Sequence, residues 1–210
     1  MKQGIIFDLD GVLLSTDEMH YTAWKSIADE LGVPFGRTEN NLLRGVSRMA
    51  SLEIILGLGN LTLPEDVKFS LTERKNNRYV ALLQTLTPDV VMQEVRDTLK
   101  ELKARGIKIA IGSSSKNAKL ILRLTDLAQY FDAVSDGTNI SHSKPDPEVF
   151  LKGADFLGLS PDVCAVVEDA VAGIDAANAG GFYSIGIGDA SKYDKADAAI
   201  EHISELLNVI

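Results

Sequence analysis

The first twelve residues constrain the fold of this chain most strongly. An apolar run ends abruptly in two aspartates, Asp8 and Asp10, and Gly11 follows them. Apolar runs of this length are typical of buried strands, and ligands of open α/β sheets bind just beyond the carboxyl ends of strands. Two acids placed there repel each other and lose hydration, and a divalent cation is the simplest way to offset their charge. The Asp-x-Asp-Gly spacing also allows one acid to act as a nucleophile and the other as a proton donor and acceptor.

The composition excludes several classes of protein. The 210 residues suffice for one large domain or for one medium domain with an insertion, and the net charge of −9 argues against broad nucleic-acid binding. No run reaches the roughly 18 consecutive apolar residues that a membrane span needs, and the start lacks the long apolar segment of a signal peptide. The single cysteine, Cys164, excludes an internal disulfide and lies in an apolar run, which predicts a buried, inert thiol. We therefore expect a cytoplasmic protein without a membrane or nucleic-acid partner.

Strand-like and helix-like segments alternate through most of the chain. This alternation predicts a parallel sheet covered by helices on both faces, which is a Rossmann-like α/β fold. The predicted strands are residues 4–7, 107–111, 133–135, 164–167 and 183–187, and the predicted helices are residues 91–104, 119–127, 147–157 and 171–179.

One stretch after the first strand breaks this alternation, because it contains only helix-like segments, at residues 19–31, 41–58 and 65–86. We predict a catalytic core formed by residues 1–15 and 88–210, with an all-helical cap domain of residues 16–87 inserted into it. The cap begins within a few residues of Asp10. A cover hinged there could exclude water from the acids.

A second acidic pair, Glu168 and Asp169, directly follows another apolar run. In a parallel sheet both pairs emerge at the same edge, and several carboxylates that converge there suit a hard, oxygen-preferring cation such as Mg²⁺. The alternative is that each pair is a solvated turn or a helix cap.

Three cations, Lys144, Lys116 and Arg48, lie where helices are expected to begin, beside small polar residues. The helix macrodipole disfavours a positive charge there by about 0.3–1 kcal/mol. This placement indicates anion sites, because helix N-termini with serines and a cation bind phosphate well. The alternative is that these side chains are simply solvated. Thr16 and His20 share one face if their segment is helical, and the alternative for His20 is an ordinary surface histidine.

Together, Asp8-Leu9-Asp10-Gly11-Val12, Ser113, Lys144-Pro145 and Glu168-Asp169 resemble the motifs of the haloacid dehalogenase superfamily of aspartyl-phosphate enzymes. The helical insertion is similar to the four-helix cap of one branch of that superfamily. Within this branch the chain resembles the β-phosphoglucomutase-like subfamily over nearly its whole length. The residues that carry this second resemblance are Thr16, Glu18, His20, Gly45-Val46-Ser47-Arg48, Arg74-Lys75-Asn76, Tyr79 and Ser115-Lys116-Asn117.

The resemblance implies a role for each matching position. Asp8 would attack phosphorus and carry the phosphoryl group, and Asp10 would be the general acid and base, aligned by Thr16 and His20. The predicted Mg²⁺ ligands are Asp8, the backbone carbonyl of Asp10, Glu168 and Asp169. Ser113 and Lys144 would bind the transferring phosphate. The phosphate at the other end of the sugar would be bound by Arg48, Ser115, Lys116 and Asn117. The further substrate-binding residues would be Arg44, Gly45, Val46, Ser47 and Ser114.

The chain departs from the subfamily pattern at three places. Arg44 stands where the subfamily usually has a lysine, and a guanidinium does not simply replace an ammonium, so the sugar contact is expected to differ. Met92-Gln93-Glu94 replaces a frequent Pro-Gly, which is expected to alter the return hinge of the cap. Ser15 replaces a frequent acid.

The function implied by the resemblance is a monomeric, cytoplasmic phosphosugar mutase that converts β-D-glucose 1-phosphate to glucose 6-phosphate. It would use Mg²⁺, an aspartyl phosphate and glucose 1,6-bisphosphate as intermediate and activator. One alternative is a Mg²⁺-dependent phosphatase of the same fold that acts on sugar phosphates or phosphoglycolate. Another is a non-catalytic sensor of phosphorylated ligands. A second phosphate site around Arg48 and Lys116 favours the mutase, since a phosphatase needs only one.

Overall fold

The computed structural model describes residues 2–210 and divides into two compact units. We call Met1–Ser15 together with Leu86–Ile210 the core unit, and Thr16–Thr85 the cap unit. The predicted fold class is confirmed, because the core unit is built on a parallel sheet with helices and the cap unit contains only helices.

The core unit contains a six-stranded parallel sheet in the order β3-β2-β1-β4-β5-β6. Its strands are β1 (Gly4–Phe7), β2 (Lys108–Gly112), β3 (Ala133–Ser135), β4 (Cys164–Glu168), β5 (Tyr183–Gly186) and β6 (Ala198–Ala199). The central strand β1 is buried along its whole length and pairs with β2 on one side and β4 on the other. Asp8, Ser113 and Asp169 therefore follow three adjacent strands at one edge of the sheet.

The helices are α1 (Asp17–Glu30), α2 (Arg37–Asn41), α3 (Arg48–Leu58), α4 (Glu65–Leu83), α5 (Gln93–Ala104), α6 (Ala118–Leu124), α7 (Glu148–Leu157), α8 (Val171–Ala179) and α9 (Leu206–Val209). The first four belong to the cap unit and the others to the core unit. No helix among residues 2–210 combines the length and the apolar character that crossing a membrane requires.

An apolar cluster in the core unit holds α7 and α8 against the central strands of the sheet. Phe150 on α7 and Ala177 on α8 are buried in one cluster with Ile6 of β1 and Val166 of β4. Burial of these apolar side chains is the main force that fixes both helices on the sheet. Both helices begin close to residues of the predicted site, so this packing also positions the site. Cys164 lies in the same cluster, where burial raises the pKa of its thiol to about 11, and the predicted buried thiol is confirmed.

A second apolar cluster holds the cap unit together. Trp24 and Ile27 of α1 pack with Leu52 and Ile55 of α3 and with Leu71 of α4. Trp24 and Ile27 therefore lie on the buried face of α1.

The helix-like segment predicted for residues 41–58 is only partly correct, because α3 covers residues 48–58 and residues 42–47 are not helical. α2 ends at Asn41 and α3 begins at Arg48, and between them Gly45 has a φ of +73°, a backbone conformation that a continuing helix cannot contain. Ser47 is the N-cap of α3, because its Oγ accepts a hydrogen bond from the backbone N–H of Ala50 at 3.2 Å. Strand β6 was not predicted, since two alanines carry no strand signal.

Candidate active site

Three carboxylates meet where β1 and β4 end. Asp8 follows β1 directly, and its backbone N–H donates to the carbonyl of Val167 at 2.9 Å. Glu168 is the last residue of β4 and Asp169 follows it. Asp8 is only 8% exposed and Glu168 only 1%, so both charged groups lie in surroundings with little water. Such groups are tolerated when a cation or hydrogen-bond donors compensate them.

Lys144 is the protein's own compensation for this charge. Its buried ammonium donates to Asp8 Oδ1 and to Glu168 Oε1, and it lies 4.6 Å from the ring centroid of Phe150. It comes from the loop before α7, where Asp146 Oδ1 accepts the backbone N–H of Glu148 at 2.9 Å. The predicted proximity of Lys144 to the phosphoryl-carrying acid therefore takes the form of a direct ion pair.

One lysine does not balance all the acids. Burial raises the pKa of Asp169 to about 8, and the charges of Asp8, Glu168 and Asp10 add to this effect. Burial also raises the pKa of Glu168 to about 7, against the opposing effect of Lys144. Burial alone would lower the pKa of Lys144, but the neighbouring acids raise it above its usual value, so its ammonium stays charged. The folded site therefore disfavours the ionisation of all its acids at once.

This donor set fits a hard divalent cation. Glu168 has both oxygens engaged, since Oε1 accepts from Lys144 and Oε2 accepts from the backbone N–H of Ala170 at 3.0 Å. Glu168 therefore contributes mainly charge, whereas Asp8 and Asp169 supply oxygen ligands of the kind that Mg²⁺ prefers. The raised pKa of Asp169 shows that its charge is the least compensated of the cluster.

Two glycines make room for these carboxylates. Gly11 has a φ of +87°, and a Cβ atom there would overlap the carboxylate of Asp169. Gly173, in the first turn of α8, lies so close to Glu168 that a Cβ atom would overlap its carboxyl group. Gly11 was part of the predicted motif, but Gly173 was missed. The only sign of its role in the sequence was a glycine inside a helix-like pattern.

The predicted phosphate loop follows β2. Ser113 donates its backbone N–H to the carbonyl of Ser135 at 3.1 Å, and its Oγ accepts from the backbone N–H of Ser115 at 3.2 Å. Ser115 Oγ in turn accepts from the backbone N–H of Asn117 at 3.2 Å. Within residues 2–210 the buried hydroxyl of Ser114 has no hydrogen-bond partner. The loop 113–117, which includes Lys116, is thus ordered by its own hydroxyls and carries a donor that a ligand or water could satisfy.

The cap unit holds His20 as a neutral ring. Burial, followed by the charges of Lys75 and Arg48, keeps the pKa of His20 well below its usual value. Lys75 Nζ lies 2.8 Å from His20 Nδ1, and because an ammonium can only donate, Nδ1 is the acceptor and the ring proton is on Nε2. Thr16 Oγ1 forms a hydrogen bond with the hydroxyl of Tyr79 at 2.8 Å.

The two arginines of the predicted site that lie in the cap unit are paired with acids that the sequence did not single out. Arg48 donates to Glu73 Oε1 at 2.7 Å and to Asn76 Oδ1 at 2.8 Å. Arg44 donates to Asp17 Oδ2 at 2.9 Å. At the start of α3, the anion expected beside Arg48 is therefore Glu73 in this structure.

The predicted site residues are divided between the two units. The core unit holds Asp8, Asp10, Ser113, Ser114, Ser115, Lys116, Asn117, Lys144, Glu168 and Asp169, and the cap unit holds Thr16, His20, Arg44, Gly45, Val46, Ser47 and Arg48.

An open cleft elsewhere on the core unit is lined in part by His142, Asp146, Glu148 and Lys152. Lys152 pairs with Glu148 at 2.7 Å, and the backbone N–H groups of Ser141 and His142 donate to the same carboxylate. Lys152 and then these N–H groups hold the pKa of Glu148 at about 2. These contacts stabilise the loop around Lys144, and they occupy both oxygens of the Glu148 carboxylate.

Residues 2–181 match the family described as "Hydrolase: haloacid dehalogenase-like hydrolase". The chain belongs to this family.

Among its relatives in the family, the β-phosphoglucomutase of Bacillus subtilis is 40% identical over 206 residues, which is 97% of this chain and 91% of that protein. The phosphorylated carbohydrates phosphatase of Thermotoga maritima is 30% identical, and the match covers 99% of this chain and 98% of that protein. The crystal structure of β-phosphoglucomutase from Clostridium difficile superposes with a TM-score of 0.93 at 36% identity, and the match covers 98% and 93% of the two chains.

Gly173→Ala is expected to weaken Mg²⁺ binding by this haloacid dehalogenase-like protein. The added Cβ displaces Glu168, although alanine alone would favour the helix by about 1 kcal/mol. Displacing such a supporting group typically costs roughly 10–100-fold in metal affinity. Calorimetric titration with Mg²⁺ measures the change. Gly57→Ala in α3, where nothing lies within 4 Å of the added atom, is the matched control and keeps wild-type affinity. Unchanged Mg²⁺ affinity in folded Gly173→Ala would contradict the assignment.

Asp169→Asn is expected to stabilise the metal-free protein. The folded state raises the pKa of Asp169 to about 8, from about 4 in an unfolded chain, so the folded state holds the proton more tightly. The ionised carboxylate therefore costs stability increasingly as the pH rises through this window, and asparagine removes that cost. In urea unfolding with EDTA, the free energy of unfolding should rise by roughly 1–2 kcal/mol at high pH, a figure already reduced for solvent screening. The gain should be smaller near pH 5.

The exposed Asp155→Asn on α7 serves as the control for this experiment and should change stability little at either pH. A loss of stability in Asp169→Asn without metal would show that its carboxylate is well compensated.

Proposed function

We propose that the chain is a Mg²⁺-dependent phosphosugar mutase that converts β-D-glucose 1-phosphate to glucose 6-phosphate. The observation that carries the proposal is that one chain holds two separate sets of side chains suited to binding phosphate. Asp8, Lys144 and Ser113 form the first in the core unit, and Arg48 centres the second in the cap unit. The 40% identity to a β-phosphoglucomutase over nearly the whole chain supports the same activity.

Asp8 is the nucleophile in this proposal. Lys144 holds its Oδ1, and attack on phosphorus comes from the other oxygen. A bond forms between this oxygen and phosphorus while the bond to the sugar oxygen breaks, which leaves an aspartyl phosphate on Asp8. Lys144 and Ser113 bind the oxygens of the transferring group, since the ammonium is charged and the hydroxyl lies at the end of the adjacent strand.

Asp10 moves the proton. It gives a proton to the departing sugar oxygen and takes one from the other hydroxyl when that hydroxyl attacks the aspartyl phosphate. Thr16 and His20 are proposed to align it. The neutral His20 has its Nε2–H as the only ring donor, because Nδ1 accepts from Lys75.

The metal would be held by Asp8, Asp169 and the Asp10 carbonyl, with Glu168 adding charge. When bound, Mg²⁺ neutralises charge on the phosphoryl oxygens. Glucose 1,6-bisphosphate is proposed as the intermediate and as the activator that first phosphorylates Asp8.

The second phosphate set is what a mutase requires. A bisphosphate must bind in two orientations, so one phosphate needs a site while the other is transferred. Arg48 lies at the start of α3, and its guanidinium forms charge-assisted bonds of the kind that phosphate can take over. Lys116 and the serines of the loop 113–117 are proposed to complete this site, with Arg44, Gly45, Val46 and Ser47 contacting the sugar.

A phosphatase of the same family is the second candidate. The 30% identity to a phosphorylated carbohydrates phosphatase over nearly the whole of both chains favours it. A phosphatase admits water to the aspartyl phosphate and has no need for Arg48. The cytoplasmic location, the monomeric state and the cap boundaries at residues 16 and 87 stay predictions.

Wild-type protein with Mg²⁺ is expected to form glucose 6-phosphate from β-glucose 1-phosphate, faster when glucose 1,6-bisphosphate is added. A coupled dehydrogenase assay measures the product, and a parallel assay measures free phosphate. Asp8→Asn should abolish both activities, because the amide lacks the attacking charge. Asp10→Asn should lose roughly 10²–10⁴-fold, the usual contribution of a general acid and base. Steady phosphate release without isomerisation would establish the phosphatase instead.

Arg48→Ala is expected to separate the two candidates. Loss of a charge-assisted phosphate contact should reduce kcat/KM for isomerisation roughly 10–100-fold. Hydrolysis of acetyl phosphate, which offers one phosphate, should change little. Arg74→Ala is the matched control, because Arg74 is another cap arginine paired with an acid, Glu30, and lies outside the proposed site. Equal loss of both activities in Arg48→Ala would contradict a role for Arg48 in binding the second phosphate.

A further inference from the structure

Two neighbouring acids in the first turn of α1 hold the short helix α2 from both sides. Asp17 accepts on Oδ1 from Asn40 Nδ2 at 3.1 Å and on Oδ2 from Arg44 Nη2 at 2.9 Å. Glu18 pairs with both terminal nitrogens of Arg37, the first residue of α2. One carboxylate thus contacts the start of the helix, and the other contacts its end and the residues after it.

Within this segment the backbone N–H of Gly36 donates to Glu39 Oε2 at 2.8 Å, and the Arg37 guanidinium lies 4.4 Å from the ring centroid of Tyr21. α2 has five residues, which are too few for a stable helix on their own. Asn40 is the one residue of α2 that is buried. Leu43, which follows, is buried and anchors the chain to the cap core. Beyond Leu43 the backbone turns at Gly45, with a φ of +73°, before Ser47 caps α3. Arg44 stands between the buried anchor and this turn.

We infer that Asp17 is a positioning residue for substrate recognition: it fixes the guanidinium of Arg44 and, through it, the turn from Arg44 to Ser47. This inference rests on the proposed function, which assigns that turn to the sugar. Asp17 also offsets the charge of Arg44. The fixed guanidinium is then placed to donate to hydroxyls of the sugar.

Surface ion pairs add little to stability, so removing this one should leave the fold intact. Asp17→Asn keeps the size of the side chain and an oxygen that accepts from Asn40, but it removes the charge that faces Arg44. The expected result is a roughly tenfold higher KM for β-glucose 1-phosphate with kcat nearly unchanged, since one charge-assisted bond is lost. The same variant should be inhibited more strongly by inorganic phosphate, because Arg44 has lost its counter-charge. A merely structural role would not strengthen this inhibition.

Glu30→Gln is the matched control, because Glu30 is another exposed acid of α1 paired with an arginine, Arg74 of α4. It should leave KM and phosphate inhibition unchanged. The decisive comparison uses Arg44→Ala: if Asp17 acts through Arg44, adding Asp17→Asn to this variant changes KM no further. Additive effects of the two substitutions would overturn the inference.

Amide hydrogen exchange of the free protein gives a readout that needs no substrate. Exchange across residues 41–47 should be faster in Asp17→Asn than in wild type or Glu30→Gln. If wild type fails to isomerise β-glucose 1-phosphate but this exchange difference appears, the proposed function fails while the positioning by Asp17 stands. Unchanged exchange and unchanged KM in Asp17→Asn would overturn the positioning role itself.

Discussion

The buried ammonium of Lys144 between Asp8 and Glu168 is the interaction on which the rest of the site depends. A buried carboxylate without a partner is strongly unfavourable, and two neighbouring ones are worse. With Lys144 in place, the ends of β1 and β4 can carry acids without unfolding the edge of the sheet. Lys144 also favours the ionised form of Asp169, but burial and the neighbouring acids outweigh this effect, and the raised pKa of Asp169 marks the place where a further positive charge is wanted. The same imbalance that costs stability thus creates affinity for a cation.

Much of the core and its acids could be predicted from the sequence. Asp8 and Asp169 each follow an apolar strand, and parallel strands place their carboxyl ends at one edge, so a local pattern was enough to place them together. Lys144 was predicted near phosphate because a cation before a helix is unusual. Its direct contact with Asp8 could not be read in this way, since it depends on how the loop before α7 crosses the sheet. Gly173 was missed for the same reason, because the overlap with Glu168 exists only once β4 and α8 are packed.

The cap was harder to predict because polar pairs determine much of its local structure. Asp17 with Arg44 and Glu73 with Arg48 are separated by more than twenty residues and show no periodic pattern. The segment 41–58 has a helix-like pattern, but residues 42–47 are not helical, and Gly45 among them has a positive φ. Hydrophobic periodicity detected the buried faces of α1, α3 and α4 well, as the burial of Trp24 shows. It carries no information about which charged side chains meet across the surface.

The order of strands in the sheet bears on how the chain is made. Gly4 of β1 pairs with Lys108 of β2 and with Cys164 of β4, so both neighbours of the first strand are synthesised long after it. Contacts between residues so distant in sequence form slowly, because a long loop must close before the pairing stabilises it. The cap unit lies between these strands in the sequence and has its own apolar cluster, so it can become compact while the first strand is still unpaired. A ribosome that stalls before Lys108 would therefore present an apolar strand, followed directly by Asp8, to chaperones instead of to its sheet.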